Sequence, residues 1–270
     1  MTMAFLRLRL RMGYSLTMED IYFFHIPKTS GMSVWIFLTQ AFPSHKVCPW
    51  WLWEQLIALP RTELDQWNLF RGHFLSHLEP YLGKRLVTFT MLRDPVERTL
   101  SHFYHVRRAV EHPFHEQALG MSLAEFCVHP TTRHMVENYQ ASYLAKAPRD
   151  PIEAAQGLTP EGLARFQLQE RLQYPDTFAD GAALLESAKA RLATFAAVGF
   201  TEDFTNSLQR ISHALNGLAS QPFEPENVNL HRAPTTTVDE TTLSVIRALT
   251  EVDRELYQWA RDQQSRKMVA

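Results

Sequence analysis

Short runs of β-branched and aromatic residues alternate along the chain with stretches whose apolar positions recur every three or four residues. Ile21-Tyr22-Phe23-Phe24-His25-Ile26 is the first such run, closed by Pro27, and it reads as a buried strand. From Gly31 to Phe42, Met32, Trp35, Ile36 and Thr39 recur at helical spacing until Pro43 ends the pattern. Trp50, Trp51 and Trp53 fall in a turn-rich stretch that runs to Pro60, and Leu69-Phe70 before Gly72-His73 marks the end of a second strand. Leu86 to Leu92 is the next clear strand. Pro95, favoured in a first helical turn, then opens a helix through Leu100, Phe103, Tyr104 and Val106.

A helix-rich middle spans Leu123 to about Leu144, followed by a Pro/Gly/Gln-rich stretch from Ala147 to Tyr174. Helix returns over Gly181 to Leu192, strand over Phe195 to Phe200, and helix again over Asp203 to Leu218. A loop of Pro, Asn and Thr covers Pro222 to Thr237, and one amphipathic helix is expected from Asp239 to Asp262. Strands alternating with helices imply an α/β fold with a mostly parallel central sheet flanked by helices. No internal repeat or low-complexity tract interrupts it.

Composition narrows the class. The chain has 270 residues, 45% hydrophobic and 21% charged, with a net charge of -2. That length can bury a sizeable core without disulfide or metal staples. The charged fraction is ordinary for a globular protein, and near-neutrality argues against generic nucleic-acid binding while leaving room for a local basic pocket. The two cysteines, Cys48 and Cys127, form no CxxC pair, which excludes a thiolate zinc site and suits a reducing compartment. In Phe5-Leu6-Arg7-Leu8-Arg9-Leu10-Arg11 an arginine breaks every apolar step, so neither a signal-peptide core nor a transmembrane span is expected. Residues 1–18 are expected to be an extension, poorly ordered, ahead of a single domain over 19–265; a cytoplasmic protein is expected.

The chemistry concentrates at Pro27-Lys28-Thr29-Ser30-Gly31-Met32-Ser33, between the first strand and the first helix. A helix N-terminus offers unpaired N–H groups and a positive dipole end, both suited to phosphate. Lys28 adds a mobile charge, Thr29, Ser30 and Ser33 add hydroxyls, and Gly31 permits close backbone approach. The plainer reading is a strand-to-helix turn with Ser30 as N-cap. The stretch lacks the upstream glycine of G-x-x-x-x-G-K-[ST], and its shortness suits one terminal phosphate rather than a triphosphate.

Phe-His-Ile-Pro-Lys-Thr-Ser-Gly-Met-Ser resembles the 5′-phosphosulfate loop of carbohydrate sulfotransferases related to heparan sulfate 2-O-sulfotransferase. The family form has Gly-Gly-Thr-Ser where this chain has Ser30-Gly31-Met32-Ser33. The resemblance implies a P-loop-like three-layer fold, 3′-phosphoadenosine-5′-phosphosulfate (PAPS) as donor, PAP as product, and no required metal. A second stretch, Arg93-Asp94-Pro95-Val96-Glu97-Arg98-Thr99-Leu100-Ser101, resembles the family's R-[DN]-P-x-x-R-x-x-S site for the nucleotide 3′-phosphate. An arginine at a strand end and a serine two turns into the helix can meet one phosphate, the guanidinium in bidentate fashion. Arg98 is expected to brace the turn, and Asp94 to cap the helix or hold an arginine.

Between the two motifs lies Arg71-Gly72-His73. The resemblance places the catalytic base at His73; where several family members have His-Gly-His, this chain has Arg71, which then falls to the acceptor or a phosphate. His77 is a substitute four residues on. The other histidines lack a convincing metal-ligand spacing, so no metal site is expected. Asn229 and Arg232 resemble a loop that closes over the nucleotide, and Asn138 lies in a stretch similar to a family helix beside the acceptor cleft. Trp51 and its neighbouring tryptophans suit either a sugar face or the core.

These readings converge on an enzyme that moves a sulfuryl group in line from PAPS to a hydroxyl of a saccharide, a glycolipid or another small acceptor. In such an enzyme the resemblance makes His73 the expected general base and Lys28 the expected stabiliser of the leaving phosphate. An unperturbed imidazole, with a pKa near 6.5, is mostly neutral and able to accept a proton at pH 7. The alternatives are a nucleotide kinase or NTPase with Asp94 on magnesium, and a non-catalytic binding protein on the same scaffold.

Overall fold

The computed structural model describes residues 19–57, 59–145, 180–215 and 237–269. In chain order its strands and α-helices are β1 (Ile21–Phe24), α1 (Gly31–Ala41), α2 (Trp53–Leu56), α3 (Arg61–Leu64), β2 (Leu69–Gly72), α4 (Leu78–Leu82), β3 (Val87–Leu92) and α5 (Pro95–Arg108). There follow α6 (His115–Leu119), α7 (Leu123–Val128), α8 (Tyr139–Ala145), α9 (Gly181–Ala193), β4 (Ala197–Phe200), α10 (Phe204–Ala214), α11 (Glu240–Leu249) and α12 (Glu251–Val269).

The four strands form one all-parallel sheet in the order β2-β1-β3-β4. Strand alternation divides its side chains between two cores. Tyr22, Phe24 and Phe70 face a layer that includes Ala141 and Leu144 of α8, Leu184 and Leu185 of α9, and Leu256 of α12. Ile21, Phe23, Leu69 and Phe89 face Val34, Phe37 and Leu38 of α1 and Leu208 and Ile211 of α10. Every residue of β1 is buried, as expected for a central parallel strand covered on both sides. Each fully buried phenylalanine there contributes about 2 kcal/mol by leaving water. A third cluster joins Phe103 and Val106 of α5 to Phe126 and Cys127 of α7 and Ile246 of α11. Cys48 and Cys127 are free thiols in separate clusters, each pushed up to about 12 by burial.

In a sheet ordered 2-1-3-4, the chain leaves β1 toward one side and β3 toward the other. The crevice at the carboxyl ends of these two neighbours is where open α/β sheets hold ligands. Both sequence motifs lie there. None of the helices among the described residues is long and apolar enough to cross a membrane.

The structure resolves the helix-rich middle into its pieces and corrects the expected last helix. The region from Leu123 to Leu144 is two short helices joined by a single 3-10 turn at Arg133–Met135, with Asn138 at φ 41°. The expected last helix is also broken at Thr250, and Asn138 is the cause. Its backbone N–H donates to the Leu249 carbonyl, and its Oδ1 accepts from the N–H of Val252 (3.0 Å) and Asp253 (3.4 Å). These groups would otherwise belong to a continuous helical ladder. Asp253, at the start of α12, returns the exchange by accepting from the N–H of Gln140 (3.1 Å) and Ala141 (2.7 Å) at the start of α8. The starts of the two helices thus cap each other, as unpaired first-turn N–H groups require. The expected extension over 1–18, the stretch from Ala147 to Tyr174 and most of the Pro222–Thr237 loop lie outside the described residues.

Candidate active site

The turn after β1 is left-handed at two positions, with φ 74° at Lys28 and 65° at Ser30. Thr29, between them, is fully buried and donates its Oγ1 proton to the Ile26 carbonyl at 2.8 Å, closing the turn. Its hydroxyl is therefore committed inside the loop. Ser30 occupies the N-cap position of α1, yet it makes no capping hydrogen bond; its Oγ donates instead to Thr201 Oγ1 at 3.2 Å. No acidic residue lies in the first turn of α1 either. Ser33 is buried, and Met32 points outward, 49% exposed. The first turn of α1 thus has no side-chain cap for its backbone N–H groups, and an uncapped helix start after a left-handed turn is the kind of place that suits an anion.

Gly31 is fixed by close approach. A Cβ there would stand 1.9 Å from His25 Nε2, so the imidazole lies directly against the glycine. His25 is also stacked on Phe23 and faces the His73 ring, with centroids 5.0 Å apart. Burial, then His73, Arg71 and Lys28, hold its pKa well below the usual histidine range.

Gly72 carries the turn that presents His73. It has φ 152°, and a Cβ would come within 2.5 Å of the Trp51 carbonyl oxygen, the same oxygen that accepts from His73 N–H at 2.9 Å. The His73 Nδ1 lies 2.8 Å from the Tyr143 hydroxyl of α8. Arg71 places its guanidinium 3.8 Å over the Trp35 ring and 5.7 Å from that of Trp51, which is 44% exposed. Burial lowers the Arg71 pKa to about 10. His25, His73, Arg71 and Trp51 therefore gather beside the Lys28 turn. His77 does not join them: it is buried, with its ring 6.0 Å from that of Trp53. Asn138, an acceptor-site candidate, is engaged in the helix exchange described above.

The turn after β3 is built differently. Asp94 caps α5, its Oδ1 accepting from Glu97 N–H at 3.0 Å, while its own N–H donates to Glu202. That capping bond engages one oxygen of the carboxylate that a kinase reading would place on magnesium. Gln140 of α8 clamps the Arg93 peptide from both sides, accepting from its N–H (3.0 Å) and donating to its carbonyl (2.8 Å). The Arg93 Nη1 donates to the Lys28 carbonyl at 3.1 Å and Nη2 lies 3.6 Å from Glu97, so the two motifs touch.

Arg98 is fully buried. It donates to the Met135 carbonyl, lies 3.2 Å from His102 Nδ1 and sits 4.0 Å over the Tyr139 ring. Its Nη1 has no partner among the described residues. Burial lowers its pKa to about 10, although Tyr139 and Asp253 oppose the shift. Ser101 stands one turn beyond Glu97 on α5, part-exposed.

Lys28 is the electrostatic centre. Its ammonium has no carboxylate partner among the described residues, and its pKa is lowered to about 8 by burial, then by Arg108, Arg93 and Arg98. The same charge helps hold His105 down at about 4 and His102 well below the usual range, in both cases after burial. A desolvated cation without a carboxylate partner of its own, with further cations nearby, is favoured by the arrival of an anion. Among the described residues, no group of three or more His, Cys, Asp or Glu side chains is arranged to hold a metal ion. Asn229 and Arg232 lie outside the described residues.

No protein-family model and no curated protein matches the chain. Sequence reasoning missed His25 and Tyr143, and it set Gln140 in a stretch near the acceptor cleft rather than on the Arg93 peptide. His25 lies in the same stretch as Lys28, but its contact with Gly31 exists only once the turn is folded. The other two reach the site only through tertiary packing.

Proposed function

We propose that the protein transfers a sulfuryl group from PAPS to a hydroxyl of a saccharide, glycolipid or other small acceptor. The observation that carries this reading is Lys28: a partly desolvated cation among arginines, with no counter-charge among the described residues, at an uncapped helix start. A donor with phosphate at both ends of its ribose suits two adjoining motifs. The P-loop-like turn from Pro27 to Ser33 takes the 5′-phosphosulfate through its backbone N–H groups, and Arg93 with Ser101 takes the 3′-phosphate.

In the reaction an acceptor oxygen attacks sulfur as the bond from sulfur to the bridging phosphate oxygen breaks. His73 takes the hydroxyl proton. The departing electron pair goes to the 5′-phosphate of PAP, where Lys28 stabilises it. Arg71 and Trp51, beside His73, line the way in for the acceptor, the ring offering a face for a sugar.

Transfer of radiolabelled sulfate from PAPS to a mixed acceptor panel tests the activity, and labelled product is expected. Nucleotide hydrolysis that needs magnesium, with no transfer, would support a kinase-like reading instead. His73→Ala should reduce turnover by about a hundredfold or more with PAP affinity preserved. Turnover unchanged in that variant would remove His73 from the chemistry.

A further inference from the structure

We propose that Tyr143 is a positioning residue that selects the tautomer of His73; the inference rests on the sulfuryl-transfer reading for its purpose, though not for its test. A neutral imidazole carries one N–H, and it can act as a base only through the nitrogen that lacks it. The 2.8 Å contact joins Nδ1 to the phenol oxygen. If the phenol donated to Nδ1, the proton of the ring would sit on Nε2 and no lone pair would be left to receive the acceptor's proton. With Nδ1–H donating to the phenol oxygen, Nε2 carries no proton and its lone pair is the basic one. The same hydrogen bond then strengthens as the ring becomes an imidazolium.

Tyr143 is held firmly enough for this task. It is 7% exposed, edge-on to Phe24 of β1 (88°, 5.7 Å) and stacked on Tyr139 (5.8 Å). The start of its helix is fixed by Asp253, and Gln140 on the same helix clamps the Arg93 peptide. One short helix therefore sets both the orientation of His73 and the geometry of the second motif. Locking an imidazole through its second nitrogen is how proteins commonly fix which nitrogen reacts.

The test is the 15N spectrum of histidine-labelled protein without nucleotide or acceptor, with His73 identified by the loss of its signals in His73→Gln. The inference requires His73 to be chiefly the Nδ1–H tautomer near neutral pH, and to become a mixture or the Nε2–H form in Tyr143→Phe. An Nε2–H tautomer in the unaltered protein overturns it, as does a spectrum that Tyr143→Phe leaves unchanged. The first arm does not depend on Tyr143→Phe, so a misfolded Tyr143→Phe protein leaves the inference testable. In the transfer assay, Tyr143→Phe should lower kcat about tenfold and leave KM for PAPS unchanged. Failure of transfer in the unaltered protein would refute the proposed function, whereas the tautomer is read independently of it.

Discussion

β1 and β3 lie side by side in the sheet, and each delivers its chain into a helix: β1 through Pro27 to Ser30 into α1, β3 through Arg93 and Asp94 into α5. At the second turn the polar groups find partners within the protein. Asp94 caps, Gln140 closes on the Arg93 peptide, and Glu97 answers the Arg93 guanidinium. At the first, the residue in the capping position bonds elsewhere, two residues are left-handed, and a lysine sits among arginines without an acid. Local strain and unmet charge of this kind cost stability and persist where something else uses them. On the proposed reading the first turn takes the 5′-phosphosulfate, while the second, its groups already paired within the protein, holds its shape beside the 3′-phosphate. The Arg93–Lys28 hydrogen bond ties one turn to the other.

The contrast can be broken most directly at Lys28. Lys28→Ala should cut kcat/KM for PAPS by about a thousandfold, since the variant loses charge stabilisation at the atom where charge develops. A loss below about tenfold would mean that the first turn is not the reacting end.

A smaller effect follows from acidity. Below about pH 8 Lys28 is the ammonium that an anion prefers, and above it the unliganded protein holds a neutral amine. Binding of PAP should therefore weaken as pH rises beyond about 8, by up to about tenfold per pH unit, with proton uptake on binding. Lys28→Arg, charged throughout, should flatten that slope between pH 7 and 9. A wild-type slope indistinguishable from that of Lys28→Arg would show that Lys28 does not titrate against the ligand.

The smallest effect concerns the caps themselves. Asp94→Ala should cost about 1 kcal/mol in urea unfolding. Ser30→Ala, which removes only a hydroxyl contact to Thr201, should stay within about 0.5 kcal/mol. Equal losses would erase the distinction between a capped and an uncapped helix start.

Much of this was legible in the residues. The strand runs at Ile21 and Leu86, the helix opened by Pro95 and the tight turn between the first strand and the first helix rest on local chemistry, and local chemistry is what periodicity and capping rules read. The break at Thr250 was not legible, because its cause is Asn138, more than a hundred residues away along the chain and placed by tertiary packing. Tyr143 was invisible for the same reason: nothing in Tyr139–Ala145 announces that its fifth residue meets His73. Thr29 misled in the opposite direction. Its hydroxyl looked like a ligand donor in sequence, and the fold turns it inward to Ile26.

The decisive measurement is calorimetric titration of the folded protein with PAP, the spent donor, at pH 7. One-to-one binding is predicted, lost or greatly weakened in a folded Lys28→Ala variant. No heat and no thermal stabilisation with PAP would mean that the crevice between β1 and β3 does not hold this nucleotide, and the assignment of the two turns would fail with it.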